Sequence, residues 1–259
     1  MKKFFTALLI AALPVVGWAS GSEAPMRTVD IDLSDKAALQ DGARTYVNYC
    51  MGCHSAKFQR YERVANDLGI PEDVMMENLV FPDSKIGDHM SIGMQPNDAK
   101  VWFGAAPPDL TLVARVRGTD WLYDYLHSFY ADPSRPWGVN NTRFPNVGMP
   151  HALESLQGLQ VKGCAQVQVV EDGKKVFDPL TGQPVTHEDC DQLVVKEGTG
   201  TQTPAEYDET VKNLVSFLAY SANPVKLESQ RIGTYVLLFL AVFFVFAYAL
   251  KREYWKDVH

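Results

Sequence analysis

The sequence predicts a mainly α domain, exported and held to a membrane by one C-terminal helix. Three observations predict it. Apolar residues recur at helical spacing in segments 35–50, 121–130 and 204–220. An uncharged apolar run of nineteen residues lies near the C-terminus, and a shorter apolar run follows two lysines at the N-terminus. A chain of 259 residues allows one large domain or two small ones, and its apolar and charged fractions are those of an ordinary globular protein. A formal net charge of -7 excludes a generally basic nucleic-acid binder, so no nucleic-acid partner is expected.

The two ends set the topology. Lys2 and Lys3 precede an apolar core from Phe4 to Val16, and Gly17 and Ala19 stand where a signal peptidase reads small residues. Residues 1–19 are therefore expected to be a cleaved secretory signal; the alternative, a retained anchor, is disfavoured because the run is short and contains Pro14. From Ile232 to Leu250 the chain reads IGTYVLLFLAVFFVFAYAL, which as a helix covers roughly 28 Å. A buried core helix is the alternative, but Arg231 before the run and Lys251 and Arg252 after it favour a membrane span, with Tyr235, Tyr248, Tyr254 and Trp255 as interface anchors. The expected organisation is an exported domain over 20–230, an anchor over 231–250 and a cytoplasmic tail over 251–259.

Within the domain, Leu39, Ala43, Tyr46, Val47 and Cys50 share one helix face, with Ser34 as the expected N-cap and Asp35 in the first turn. Gly42 is costly inside such a helix unless another element packs closely against it. The segment Pro204 to Tyr220, with Tyr207, Val211, Leu214, Val215 and Leu218 on one face, is the expected partner. The first helix delivers the chain to Cys50, Met51, Gly52, Cys53 and His54. This is CxxCH, the attachment signal for c-type haem. Cys50 and Cys53 can form thioethers to two vinyl groups, and His54 then lies beneath the iron as the proximal ligand, giving one covalent haem c. A zinc half-site needs a second matching pair, and Cys164 and Cys190 are not spaced as CxxC. A redox dithiol expects a preceding strand rather than a helix.

The sixth iron position is the next question. Pro71, Pro82 and Pro96 break the segment 55–106 into short pieces, of which Glu72 to Leu79 reads as a short helix. His89, Met90 and Met94 in this region are possible ligands but read better as packing residues. Pro107 and Pro108 fix an extended backbone whose carbonyls are free to hold the second nitrogen of His54. Thr111 to Arg117 is helix-like, and Arg115 and Arg117 are candidates for a haem propionate. Trp121, Leu122, Tyr125, Leu126 and Phe129 form a stripe expected to be core lining the haem. An ordered irregular loop over 132–150 ends in Asn146, Val147, Gly148, Met149 and Pro150, which holds Met149 outward as a candidate sixth ligand. A peroxidase or gas sensor would instead leave that position open, with His127 or His151 as distal residues.

The CxxCH preceded by Gly42 and Tyr46, the GAAPPDL segment ahead of a basic helix, the late loop methionine and the single C-terminal span together resemble the cytochrome c1 family. The resemblance implies a class I cytochrome c-like haem domain in which Cys50 and Cys53 carry the haem and His54 and Met149 are its axial ligands. It further implies that Pro108 lends its carbonyl to His54 and that Arg117 contacts a propionate. By the same resemblance the chain is the anchored haem subunit of quinol:cytochrome c oxidoreductase, set in a bacterial inner membrane with its haem domain in the periplasm. It would pass electrons from the Rieske iron-sulfur protein to a cytochrome c, beside cytochrome b in a dimeric complex. An anchored carrier of another oxidase or dehydrogenase is the nearest alternative.

The departure from the family is an insert at about 152–203, where alternating Val161, Val167 and Val169 and later Leu193, Val194 and Val195 suggest a small hairpin. Cys164 and Cys190 are the cysteines not claimed by haem, and an oxidising compartment favours a disulfide between them. Acidic residues outnumber basic ones from Glu171 to Glu209, so this stretch is a candidate docking face for a basic partner.

Overall fold

A computed structural model describes residues 26–171 and 174–256. The leader expected over 1–19 lies outside the described residues. The first helix, α1, runs Lys36–Thr45. Its cap is Asp35, whose Oδ1 accepts from the Ala38 N–H at 3.1 Å. Ser34, the expected cap, is already engaged: its N–H and its hydroxyl both donate to Asp32 Oδ1, at 2.8 and 2.6 Å.

The second long helix of the domain, here α8, runs Pro204–Ala222 and opens with a capping box in which Thr203 and Glu206 satisfy each other's backbone N–H groups. α1 and α8 cross in the centre of the molecule. Leu39, Ala43, Tyr46 and Val47 meet Val211, Leu214, Val215, Phe217 and Leu218 in one buried cluster. The rings of Tyr46 and Phe217 lie 5.5 Å apart. At Gly42 the backbones nearly touch: a Cβ there would stand 2.0 Å from the Asn213 carbonyl oxygen and 2.8 Å from Phe217 Cβ. The costly glycine is thus what lets the two helices approach so closely.

Between them the chain builds short elements around this pair. β1 (Ala56–Arg60) pairs antiparallel with β2 (His89–Met90), and α2 (Tyr61–Leu68), α3 (Glu72–Asn78) and α4 (Pro96–Phe103) fill the segment that the prolines interrupt. α5 (Val113–Arg117) starts two residues later than the spacing suggests, because Thr111 N donates to the Asp109 side chain and Val113 N to the Leu110 carbonyl. α6 (Thr119–His127) stops before Phe129, which enters the strand β3 (Phe129–Ala131) paired with β4 (Val139–Asn141). The segment 132–150 is therefore a hairpin turn and a loop rather than irregular throughout. α6 packs on α8, where the Tyr207 hydroxyl donates to the Leu126 carbonyl at 2.9 Å.

The insert is a hairpin on a closed stem. After α7 (Glu154–Gln157), β5 (Gln160–Gln168) pairs antiparallel with β8 (Thr186–Val195), with a bulge between Gly163 and Ala165. The short strands β6 (Val170–Glu171) and β7 (Lys174–Lys175) pair at its far end. The sulfurs of Cys164 and Cys190 lie 1.96 Å apart, joining the two long strands at the bulge. At the stem, Thr201 N donates to Ser155 O and Gln202 N to Leu156 O, at 3.1 and 3.0 Å. The Gln160 amide fastens the hairpin to the domain by donating to the carbonyls of His127 and Phe129, at 2.9 and 2.7 Å.

The last helix, α9 (Lys226–Tyr254), has 29 residues, none of them buried, and is long and apolar enough to cross a membrane. It extends beyond the uncharged run at both ends because Lys226, Glu228 and Arg231, and later Lys251 and Arg252, are good helix formers. The architecture is mainly α, with one long apolar C-terminal helix. Gly42→Ala is expected to destabilise the domain by about 3 kcal/mol and to lower its melting temperature by roughly 10 °C, because neither backbone can move without opening the core. A thermal melt followed by circular dichroism checks this; an unchanged midpoint would show that the crossing yields cheaply.

Candidate haem centre

As α1 ends it widens into a five-residue π turn, Tyr46–Cys50, closed by Met51 N to Tyr46 O at 2.9 Å. The Cys50 carbonyl then accepts from both Cys53 N (3.0 Å) and His54 N (2.9 Å), so Cys50, Cys53 and His54 share one tight turn. Both cysteines are free and half-buried. Burial, aided by the neighbouring Cys53, pushes the Cys50 thiol up to about 12. The turn is pinned from within. Tyr46, wholly buried, donates its hydroxyl to the His54 carbonyl at 2.7 Å.

The His54 side chain is held from the other side. Its Nδ1 lies 2.7 Å from the Pro108 carbonyl oxygen. Burial holds the imidazole below its usual pKa, while the Pro108 carbonyl and the Asp109 charge act the other way. A neutral ring with Nδ1–H on the carbonyl leaves the Nε2 lone pair available to a metal. Asp109 fixes the loop that supplies this carbonyl: its Oδ2 accepts from Lys57 N at 2.8 Å and its Oδ1 from Thr111 N at 3.0 Å. Leu110 N donates to Ser55 O at 2.8 Å, closing the loop against the residues that follow His54.

Next to Cys53 lies a mainly apolar cleft lined by Ile92, Met94, Ala99 and Pro107, among others. Of the three early ligand candidates, only Met94 borders it. Met90 is wholly buried in the main core, and His89 is exposed on β2. Met149 is half-buried, packs against the small cluster of Phe129, Val139 and Val147, and receives a hydrogen bond from the Tyr125 hydroxyl, 3.6 Å from its sulfur. Tyr125 stacks on Trp121 at 4.9 Å and meets Phe129 edge-on at 5.2 Å. The predicted stripe thus divides: Leu122 and Leu126 enter the main core, Trp121 and Tyr125 pack against it, and Tyr125 and Phe129 reach the small cluster on which Met149 rests. The exposed Arg117 guanidinium sits 4.9 Å above the Trp121 ring, and Arg115 is exposed.

The two histidines considered as distal residues are both buried, and neither lines the cleft beside Cys53. His127 is 2% exposed, with Nδ1 2.7 Å from Tyr123 O and Nε2 2.9 Å from Asp208 Oδ1. His151 stacks on Phe129 at 4.7 Å and holds Gln157 Oε1 at 2.8 Å through Nε2. Neither is placed as an open-site acid or base. Two functional details escaped sequence reasoning: the Tyr46 hydroxyl, and the Tyr125 hydroxyl, whose ring periodicity marks only as core.

The donor set fits a covalently attached haem. Two thiols and an imidazole share one turn, the imidazole is fixed through Nδ1, and a thioether is held by a hydroxyl on an aromatic wall.

Residues 30–258 match the Cytochrome C1 family. The chain belongs to the cytochrome c1 family. It is 45% identical to the cytochrome c1 of Allochromatium vinosum, over the full length of both chains. It is 39% identical to the ammonia monooxygenase gamma subunit of Nitrosomonas europaea, over 98% of each. Cytochrome b/c1 of Bradyrhizobium diazoefficiens is 25% identical, over 87% of this chain and 34% of that longer protein. Cytochrome c1 membership implies a covalently bound haem c and a complex with cytochrome b and a Rieske protein.

The buried histidines give the fold an acid limit. His127 is held below its ordinary value chiefly by burial, so below about pH 6.5 the unfolded chain binds more protons than the folded one, and stability falls with falling pH. His127→Gln is expected to flatten part of that slope while keeping polar contacts to Tyr123 and Asp208. Urea unfolding at pH 7 and pH 5 measures it, and equal slopes in parent and variant would remove His127 from the acid limit.

Proposed function

We propose that this chain is the membrane-anchored electron carrier of a quinol:cytochrome c oxidoreductase, taking electrons from the Rieske iron-sulfur protein and passing them to a cytochrome c. The observation that carries the reading is the His54 imidazole, tied through Nδ1 to Pro108 O at 2.7 Å beside two free thiols on the same turn. Cys50 and Cys53 would bond a single haem and His54 and Met149 would hold its iron, and the group would supply a ferric/ferrous couple. The Pro108 carbonyl fixes the His54 tautomer and raises its basicity. Tyr125 directs a hydroxyl at the Met149 sulfur. Arg117, standing over Trp121, is free at its rim to meet a propionate. No independent substrate chemistry is expected of the chain.

In this reading residues 1–19 are a signal peptide and 20–230 face the periplasm of a bacterium. Residues 231–250 cross the inner membrane beside cytochrome b in a dimeric complex, and 251–259 stay in the cytoplasm. Helix α9, unburied along its whole length, supports the anchor. A second reading, an anchored carrier serving another oxidoreductase, is favoured by the likeness to the ammonia monooxygenase gamma subunit. Copurification of the chain with a cytochrome b supports the first reading, and its absence supports the second.

Met149→Leu is expected to leave the haem covalently attached and to lower the midpoint potential by on the order of 0.1–0.3 V, since a thioether favours ferrous iron. Potentiometric titration decides it; an unchanged potential moves the ligand role to Met94, which borders the cleft. The acidic hairpin gives a second measurable expectation. Glu188→Gln combined with Asp189→Asn is expected to slow reduction of a basic cytochrome c at low salt. Parent and variant should converge at 1 M, where the Debye length has fallen from about 10 Å to about 3 Å. Coincident stopped-flow rates at low salt would place docking elsewhere.

A further inference from the structure

The loop that carries Met149 is held by a device that neither the family match nor the axial-ligand assignment requires. Arg135, in the turn between β3 and β4, reaches across to the residues just ahead of Met149. Its Nη2 donates to Asn146 O at 2.9 Å and to Val147 O at 3.4 Å, and its Nη1 faces Asn146 Oδ1 at 3.4 Å. Asn146 adopts a left-handed backbone, φ 63°, which reverses the chain there. Its N–H donates to Asn140 Oδ1 at 2.8 Å. Asn140 is 8% exposed, and its amide nitrogen donates in turn to Asp132 Oδ2 at 2.9 Å, in the turn that bears Arg135. The N–H, the carbonyl and the side-chain oxygen of Asn146 are thus all held by one hairpin.

The hold is relayed directly to Met149. Val147, 4% exposed, packs with Phe129 and Val139, and Met149 rests on the same cluster. Gly148 alone separates the clamped backbone from the thioether. The guanidinium also bears a cost: its Nε is buried with no hydrogen-bond partner among the described residues. A surface arginine would avoid that cost by turning outward. The two prongs of the guanidinium divide between the side-chain oxygen of Asn146 and the carbonyls of Asn146 and Val147, a division that the single ammonium of lysine does not reproduce.

We infer that Arg135 is a positioning residue for the Met149 sulfur, acting through Asn146 and Val147 to keep the loop from swinging away and surrendering the sixth iron position to another ligand. The inference rests on the reading of Met149 as the axial ligand. The test is made on the full-length, haem-loaded chain in detergent, using Arg135→Gln, Arg135→Lys and, as control, Met149→Leu. The sulfur-to-ferric-iron charge-transfer band is followed during titration with imidazole, which competes for the sixth position.

The expected result is a band in the parent, no band in Met149→Leu, and loss of the band in Arg135→Gln at an imidazole concentration lower by about tenfold, the scale of a hydrogen bond to a charged group. Arg135→Lys is expected to fall between. Coincident titrations of parent and Arg135→Gln, both starting with the band, overturn the inference and leave the Met149 reading intact. A parent without the band overturns the Met149 reading and the inference with it. Should Arg135→Gln not accumulate as folded holoprotein, the Arg135→Lys titration decides alone: a shift supports the clamp, and coincidence with the parent overturns it.

Discussion

The close crossing of α1 and α8 at Gly42 is the constraint on which the other elements depend. With Asn213 O only 2.0 Å from where a Cβ would stand, the two backbones have no freedom to slide. That fixes the direction in which α1 leaves the core, and so where the Cys50–His54 turn is delivered. It also fixes α8 as the wall against which α6 packs, through Tyr207 and Leu126. The aromatic residues leading to Met149 stand on α6 and β3. The Cys50–His54 turn and the wall that bears Met149 are therefore both referenced to one helix pair, although they lie almost a hundred residues apart in the chain.

Polar groups then refine what packing sets. His54 is held between the Tyr46 hydroxyl at its carbonyl and the Pro108 oxygen at its ring, both at 2.7 Å. Asp109 contributes two further bonds that keep the proline segment in place. Each donor and acceptor here is short-ranged and directional, so small displacements are penalised in a way that apolar contact alone does not achieve. The insert uses the same logic, with one Gln160 amide joined to two carbonyls of the domain.

Much of this architecture was legible in the residues. The helices α1 and α8 follow from apolar spacing and α9 from its uncharged run, and Gly42 stands out because a glycine in mid-helix must be compensated. Paired prolines marked the segment that reaches His54, and alternating valines marked the insert's hairpin. What was not legible depends on tertiary partners. The π turn is a slip of one hydrogen bond, which apolar spacing does not encode. The Asp35 cap displaced Ser34 because Asp32 captures that serine, a competition decided in three dimensions. Tyr125 reads as an ordinary core aromatic until its hydroxyl is seen against sulfur. Arg135, set among prolines and a serine, carries no pattern; only the folded hairpin brings its fork to Asn146 and Val147.

The junction between α8 and α9 has a consequence for how such a molecule works in a bilayer. Only residues 223–225 separate Ala222 from Lys226, and they form a hydrogen-bonded turn, Lys226 N to Asn223 O at 3.1 Å. Three residues reach at most about 10 Å, and these three are not extended. A domain mounted so close to its stalk cannot patrol the membrane surface; it stands at a set height, like a terminal on a post. The height of the Cys50–His54 turn above a bilayer is thereby set by α9 and the turn over 223–225 rather than by a flexible tether.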